Sequence, residues 1–209
     1  MTTKDRILES SLRLFNREGA DRVTVRSIAS ETGISHGNLT YHFPGKDEIL
    51  YQLYLKLVDE FNALMASLQS EEVDIIQLLK SNQQAFTLFY KYRFLFLDFT
   101  HVMRKQPRIR QHYRRVIRTR KEQFRLLLNL LIENGYVKKE EVKGQYDLLH
   151  DVVFVYADFW MTSAEILFEG KESEKIPYYN RVFQSIIIPL LTPKGMKQYQ
   201  SFTSNSFNG

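Results

Sequence analysis

Apolar side chains recur along most of the chain at intervals of three and four residues, the spacing of one face of an α-helix. No segment shows the alternation of a β-strand or a hairpin turn signal, so the pattern predicts an all-α fold. Pro107 and Pro177 suit the first turns of helices, and Pro189 should kink or end the last one. Gly135 suits a C-terminal cap. Helices are expected at residues 4–18, 25–32, 36–43, 46–68, 73–105 with a break near Tyr92, 107–134, 144–169 and 177–191.

The segment from Val23 to Asp47 predicts a helix-turn-helix. Thr24 can cap the first helix because its hydroxyl accepts a free N–H group of the first turn. Gly33 can end that helix, since glycine adopts a left-handed conformation without a Cβ penalty, and Ser35 can cap the next helix. Ala29, four residues before Gly33, leaves room for two helices to cross at a wide angle.

The second helix of this motif exposes hydrogen-bond donors and acceptors, and no carboxylate occurs between Thr32 and Lys46. Such a face suits the major groove of DNA. Pro44 and Gly45 end the helix, and Lys46 beside the next helix N-terminus suits a phosphate. A small residue and a glycine at this spacing fit any helical hairpin, but the two caps and the acid-free run favour DNA binding. The exposed face is expected to carry His36, Asn38, Thr40, Tyr41 and His42.

These residues, together with an apolar first helix, resemble the DNA-binding domain of the TetR family of bacterial repressors over nearly all of residues 4–50. The resemblance implies an all-helical homodimer, with a helix-turn-helix domain at residues 1–46 and an effector-binding and dimerisation domain at residues 47–209. The residues that carry it are Ile7, Leu8, Leu12, Phe15, Gly19, Thr24, Ile28, Ala29, Gly33, Tyr41, His42, Phe43 and Lys46.

Carried over by position, the resemblance implies two sets of DNA contacts. Thr40 stands where the family usually has tyrosine, so the contact there is expected to be weaker or shifted to Tyr41. The later segments YRFLFLDF and RKQPRIRQHYRR resemble one TetR subgroup but name no ligand. The implied base-reading residues are Arg26, His36, Gly37 and Asn38, and the implied phosphate contacts are Thr24, Thr40, Tyr41, His42 and Lys46.

The net charge of +5 and the pI near 9.3 favour a polyanionic partner such as double-stranded DNA, but the charge is unevenly distributed. Residues 1–46 carry seven Lys and Arg against five acids, whereas residues 104–125 carry ten against Glu122 alone. Three interpretations stay open for this second cluster: a solvated face paired with acids elsewhere, a site for an anionic effector, or long-range attraction to DNA. The first is the simplest.

Composition and motifs narrow the class of protein further. The absence of cysteine excludes a disulfide framework, and the charged N-terminal segment and the lack of a long apolar run favour a cytoplasmic protein with no membrane partner. No P-loop, dinucleotide glycine pattern, HExxH motif or cysteine nucleophile occurs, so neither an enzyme nor a cofactor is predicted. The alternative is a helical ligand- or protein-binding module that has lost operator binding.

The expected helix at residues 144–169 carries two adjoining apolar stripes, which predicts burial on two sides. One side can pack on its own domain and the other on a second subunit, unless this is an ordinary core helix. The second stripe contains Leu148, Val152, Val155, Phe159 and Ile166. The predicted four-helix dimer interface contains the first stripe and part of the last helix, namely Leu149, Val153, Tyr156, Trp160, Leu167, Tyr179, Phe183, Ile186, Ile187 and Leu190.

Residues 86–99 contain seven aromatic side chains, which are consistent with either an effector cavity or a solid core. A small-molecule effector of unknown identity is expected from this segment and the resemblance. Asp147, His150 and Asp151 could anchor a ligand or a metal, but surface or satisfied core positions explain them more simply, so no metal site is predicted. The candidate pocket residues are Phe86, Tyr90, Phe94, Asp98, His101, Phe124, Phe154 and Phe159.

Overall fold

Hydroxyl side chains begin each of the first three helices in the computed structural model, which describes residues 1–66, 68 and 72–206 and side chains as far as 204. The hydroxyls of Thr24 and Ser35 accept the backbone N–H groups of Ser27 and Asn38, both at 3.1 Å. Gly33 ends the second helix in the left-handed conformation, with φ of 71°. The expected helix-turn-helix is therefore present. Its helices are α1 (Thr3–Glu18), α2 (Val25–Thr32) and α3 (His36–His42).

The rest of the described chain is also helical, with no β-strand among the described residues. Breaks at Tyr92 and Asp98 divide the expected long helix at 73–105 into three, because both residues leave the helical conformation. In the described ranges no helix is long and apolar enough to cross a membrane. The remaining helices are α4 (Lys46–Ala66), α5 (Ile75–Lys91), α6 (Arg93–Leu97), α7 (Phe99–Lys105), α8 (Pro107–Glu133), α9 (Gln145–Leu167), α10 (Glu172–Ile187) and α11 (Pro193–Ser206).

Two helix boundaries differ from expectation. The last predicted helix begins at Glu172 rather than at Pro177, because acidic residues of the first turn stabilise its N-terminus, and Pro177 lies inside α10. Pro189 lies in a short 3-10 turn that ends this helix, as predicted. The predicted extension of the fourth helix to residue 68 reaches past Ala66, and residue 67 lies outside the described residues.

Helix α11 was not expected from the sequence. The Thr192 hydroxyl accepts the Gly195 N–H at 3.1 Å and caps its start. The Gln198 side chain then accepts the Ile75 N–H of α5 at 3.0 Å. Met196 and Tyr199 pack on a core cluster between α5 and α8, so α11 closes one end of the C-terminal helices.

The N-terminal helices and the C-terminal helices share one apolar core. Phe15 of α1 packs against Phe94 of α6 with ring centroids 5.2 Å apart. The Asn16 side chain donates to the Lys91 carbonyl at 2.8 Å and accepts the Phe94 N–H at 3.1 Å. These contacts would therefore transmit a movement of α6 directly to α1, in addition to any movement transmitted along α4.

Candidate nucleic-acid interface and effector cavity

The four residues expected to read bases are all exposed. Arg26 lies in the first turn of α2, and His36, Gly37 and Asn38 form the first turn of α3. Leu39 is fully buried and holds α3 against the core of the N-terminal helices. The motif therefore presents the first turns of α2 and α3 to solvent, and neither turn contains an acid.

The residues expected to contact phosphate differ in their exposure and in the hydrogen bonds that they already make within the protein. The Thr24 hydroxyl oxygen caps α2, and the Thr40 hydroxyl donates to the carbonyls of His36 and Gly37 at 3.1 and 3.0 Å. Tyr41 is 86% exposed and packs edge-on against the His42 ring at 5.2 Å. Tyr41 is thus the most exposed of the expected phosphate contacts on α3.

Lys46 is half-buried and already bonded within the protein. Its ammonium group donates to the carbonyls of Ala20 and Asp21, at 2.7 and 3.3 Å, in the turn between α1 and α2. The side chain therefore joins the start of α4 to that turn. Any phosphate contact from Lys46 would be made by an ammonium group that also holds the N-terminal helices together.

We expect Lys46→Ala to lower the free energy of unfolding by roughly 1.5 kcal/mol, because the Ala20 carbonyl loses a charged donor. It should also weaken binding to all DNA similarly and flatten the salt dependence. Chemical denaturation and DNA titration measure the two effects. Lys139→Ala removes the same charge from an exposed loop and should not change stability. Equal stability of the two variants would contradict a structural role for Lys46.

A large apolar cavity of about 790 Å³ lies between α4, α5, α8, α9 and α10. Its volume falls in the usual range of small-molecule sites, about 300–1,000 Å³. Phe86, Phe124 and Phe154 of the expected pocket set line it, as do Phe61, Phe89 and Phe96.

Five of the expected pocket residues do not line this cavity, and three of them, Phe94, Asp98 and His101, follow the break at Tyr92, which turns this part of the chain toward α1. Phe94 is packed against Phe15, and Asp98 lies between α6 and α7. His101 pairs with Asp21 at 2.7 Å, and the Tyr90 hydroxyl donates to Glu172. Phe159 is 43% exposed on the outer side of α9 and meets Phe99.

Asp158 is a partly buried acid in the cavity wall. It accepts a hydrogen bond from the Tyr113 hydroxyl at 2.5 Å. Burial raises the pKa of Asp158 to about 6, although the tyrosine bond opposes this shift, and burial raises the pKa of Tyr113 as well. The carboxyl group therefore titrates near neutral pH.

The structure places the two stripes of α9 differently from the predicted dimer interface. Trp160 and Tyr179 are buried within the protomer, and the Tyr156 hydroxyl donates to the Tyr179 carbonyl. Leu167 alone of the ten is largely exposed. Six of the ten line the cavity wall: Leu149, Val153, Phe183, Ile186, Ile187 and Leu190.

The second stripe is the one that faces solvent. Its exposed fractions are 68% for Leu148, 51% for Val152, 62% for Val155, 43% for Phe159 and 75% for Ile166. Tyr178 and Val182 of α10 are also exposed, at 45% and 38%. The two helices thus leave apolar side chains uncovered in the protomer.

Part of the basic cluster at 104–125 is paired, as the first interpretation of it expected. Arg108 binds Glu48 of α4 at 2.7 Å and stacks on the Tyr51 ring. Arg125 pairs with Asp147 of α9, and Lys121 pairs with Asp151. His150, the third candidate ligand anchor, is buried and bonded to Asp151. The other exposed cations of the cluster make no ion pair within the described residues: Arg104, Lys105, Arg110, Arg114, Arg115 and Arg118.

Arg120 differs from the rest of that cluster and was not singled out from the sequence. Only 5% of it is exposed, and it lines the cavity. The sequence could have indicated its burial, because Arg120 lies on the same helical face as Ile117 and Phe124, where a cation is unexpected.

The fold and the exposed acid-free motif define a DNA-binding regulator of the helix-turn-helix class. Comparison with known families agrees: residues 7–53 match the family described as bacterial regulatory proteins, tetR family, and residues 56–199 match the one described as bacterial transcriptional repressor. The chain belongs to the TetR family of transcriptional regulators.

Relatives support the same assignment. The probable HTH-type transcriptional regulator YttP of Bacillus subtilis is 25% identical over 152 residues, which cover 67% of this chain and 68% of that protein. A TetR-family regulator from Marinobacter aquaeolei shares the fold with a TM-score of 0.83 at 23% identity, over 98% of each chain. A regulator from Saccharomonospora viridis, solved in complex with choline, gives a TM-score of 0.69 at 20% identity, over 90% of this chain and 97% of that one.

Proposed function

We propose that the protein is a ligand-responsive repressor that binds a palindromic operator as a homodimer inside the cell. The observation that carries this proposal is the pairing of an exposed, acid-free recognition surface with a large apolar cavity in the C-terminal helices, which share a core with the motif. The cavity gives an effector a place to bind, and the shared core gives its binding a route to the motif.

Dimerisation is supported by the exposed apolar face of α9 and α10. One recognition helix reads only a few base pairs, whereas two related by a two-fold axis read half-sites about 34–36 Å apart. We assign the interface to the second stripe and its neighbours on α10, rather than to the inward stripe first expected. An effector that changes the spacing of the two motifs would then lower operator affinity.

A helical module that has lost operator binding is the alternative. It is disfavoured because a surface released from DNA contact would be expected to gain acids, and the run from Thr32 to Lys46 has none. An enzyme is disfavoured because the chain shows no cysteine nucleophile, P-loop, dinucleotide glycine pattern or HExxH motif, and its family consists of regulators. The choline complex of one structural neighbour supports a small-molecule effector without indicating its identity here.

Arg26→Ala should reduce operator affinity by about 1–3 kcal/mol and relax the preferred sequence at one position of each half-site. The reason is that Arg26 is exposed and makes no hydrogen bond within the described part of the chain, so its guanidinium is free to bind a base edge. Site selection followed by titration of the wild-type operator measures both effects. Arg22→Ala, in the turn before α2, should slightly weaken binding to DNA of any sequence and leave the preferred sequence unchanged.

Selection of genomic fragments with the purified protein tests the function as a whole. The best fragment is then titrated at several salt concentrations. We expect a short palindrome bound by dimers, with the logarithm of affinity falling linearly in the logarithm of salt concentration. Salt-sensitive binding without a preferred sequence would contradict the proposal and leave a basic protein attracted to phosphate.

A further inference from the structure

Arg120 is the single Lys or Arg side chain that lines the cavity, within the residues that the structure describes. Its guanidinium donates to the side-chain oxygens of Gln123, at 2.6 Å, and of Asn62 on α4, and it lies 4.8 Å from the Phe61 ring centre. No carboxylate within the described chain forms an ion pair with it. The buried Nε–H group has no hydrogen-bond partner.

This environment leaves a positive charge uncompensated. Arginine does not lose its proton in proteins, so Arg120 cannot relieve the cost of burial by becoming neutral, even though burial lowers its pKa. The two amide oxygens and the aromatic ring supply partial charge only. A buried guanidinium with an unsatisfied N–H group is the partner that an anionic oxygen would complete.

The two acids of the cavity wall are poorly placed to fill that role. Asp158 is bonded to Tyr113, which precedes Arg120 by seven residues, about 10 Å along α8. Glu133 follows Arg120 by thirteen residues, about 20 Å along the same helix, and is exposed. The rest of the wall is mainly aliphatic and aromatic, including Phe61, Phe86 and Leu127.

We propose that the cavity binds an organic anion with a long apolar body, such as a long-chain carboxylate, and that Arg120 pairs with its charged group. This inference rests on the effector-responsive function proposed above. The apolar wall buries the body of the ligand, and the charge and unpaired Nε–H group of the guanidinium select the carboxylate. Because Arg120 also holds Asn62 of α4, a bound carboxylate competes for the contact that joins α8 to the helix following the DNA-binding motif.

Binding of three chain-matched probes tests this inference: tetradecanoate, its methyl ester and tetradecyltrimethylammonium, each below its micelle concentration. Calorimetry measures the affinities, and the fluorescence of Trp160, whose ring lies 5.0 Å from the cavity-lining Phe86, gives a second readout. We expect the anion to bind about tenfold to a hundredfold more tightly than the ester and the cation. Equal affinity of acid and ester, or preference for the cation, would overturn the proposal.

Two arginine variants separate the specific contact from general charge. Arg120→Met should remove the preference for the anion over the ester, whereas Arg118→Met, an exposed position two residues earlier, should preserve it. Equal losses in both variants would overturn the role of Arg120. Arg120→Lys keeps the charge and should retain part of the preference, which guards against misfolding of the methionine variant. These measurements need no DNA, so they stand apart from operator titrations with and without tetradecanoate, which test effector control itself.

Discussion

Val155→Asp should convert the protein from a dimer to a monomer at micromolar concentration. Val155 is 62% exposed in the protomer, so the change should leave folding intact. At a two-fold interface each substitution occurs twice, and each buried carboxylate costs about 2 kcal/mol or more, which weakens dimerisation about 1000-fold. Sedimentation velocity measures the change, and the affinity for a palindrome should fall with it while single half-sites are still bound weakly.

Val142→Asp is the matched control for this variant. Val142 is similarly exposed, at 68%, but lies in the loop between α8 and α9. It should remain dimeric and bind the operator normally. If Val155→Asp also sediments as a dimer of unchanged affinity, the outer stripe of α9 is not the interface.

Asp158→Asn should remove one component of the pH dependence of stability, the loss that the Asp158 carboxyl group causes as the pH rises. The folded-state pKa of Asp158 is raised from 3.8 to about 6, so the folded protein binds this proton more tightly than the unfolded chain. The stabilisation that this proton contributes is fully present below pH 3.8 and is lost as the pH rises through about 6. Two pKa units correspond to about 3 kcal/mol, so the wild type should lose about that much more stability than Asp158→Asn between about pH 3.5 and pH 7.5.

Denaturant titrations at each pH and one fixed protein concentration measure this difference, because dimer stability depends on concentration. Tyr113→Phe removes the hydrogen bond that lowers the pKa of Asp158, so its stability loss should move to higher pH. Asp59→Asn, an exposed position on α4, serves as the control and should follow the wild type. Parallel pH profiles for wild type and Asp158→Asn would show that the carboxyl group is not desolvated.

The sequence by itself determined the helix-turn-helix, because its signals are local. The caps at Thr24 and Ser35 and the left-handed glycine at 33 act on backbone groups a few residues away, so they can be recognised without knowing what packs against them. The acid-free run is likewise a property of the chain alone. The break at Tyr92 was also predicted, whereas α11 was missed although Met196, Tyr199 and Phe202 have helical spacing.

Tertiary structure alone decided which faces of the C-terminal helices are buried, which line the cavity and which face solvent. Both stripes of α9 are apolar, and only the positions of α5, α8 and α10 determine that Trp160 faces inward and Val155 faces solvent. The same packing placed Phe86 in the cavity wall and Phe94 against Phe15, and it buried Arg120 within a mostly exposed basic cluster. Burial depends on contacts between residues far apart in sequence, and periodicity records only that a face is apolar, without recording what covers it.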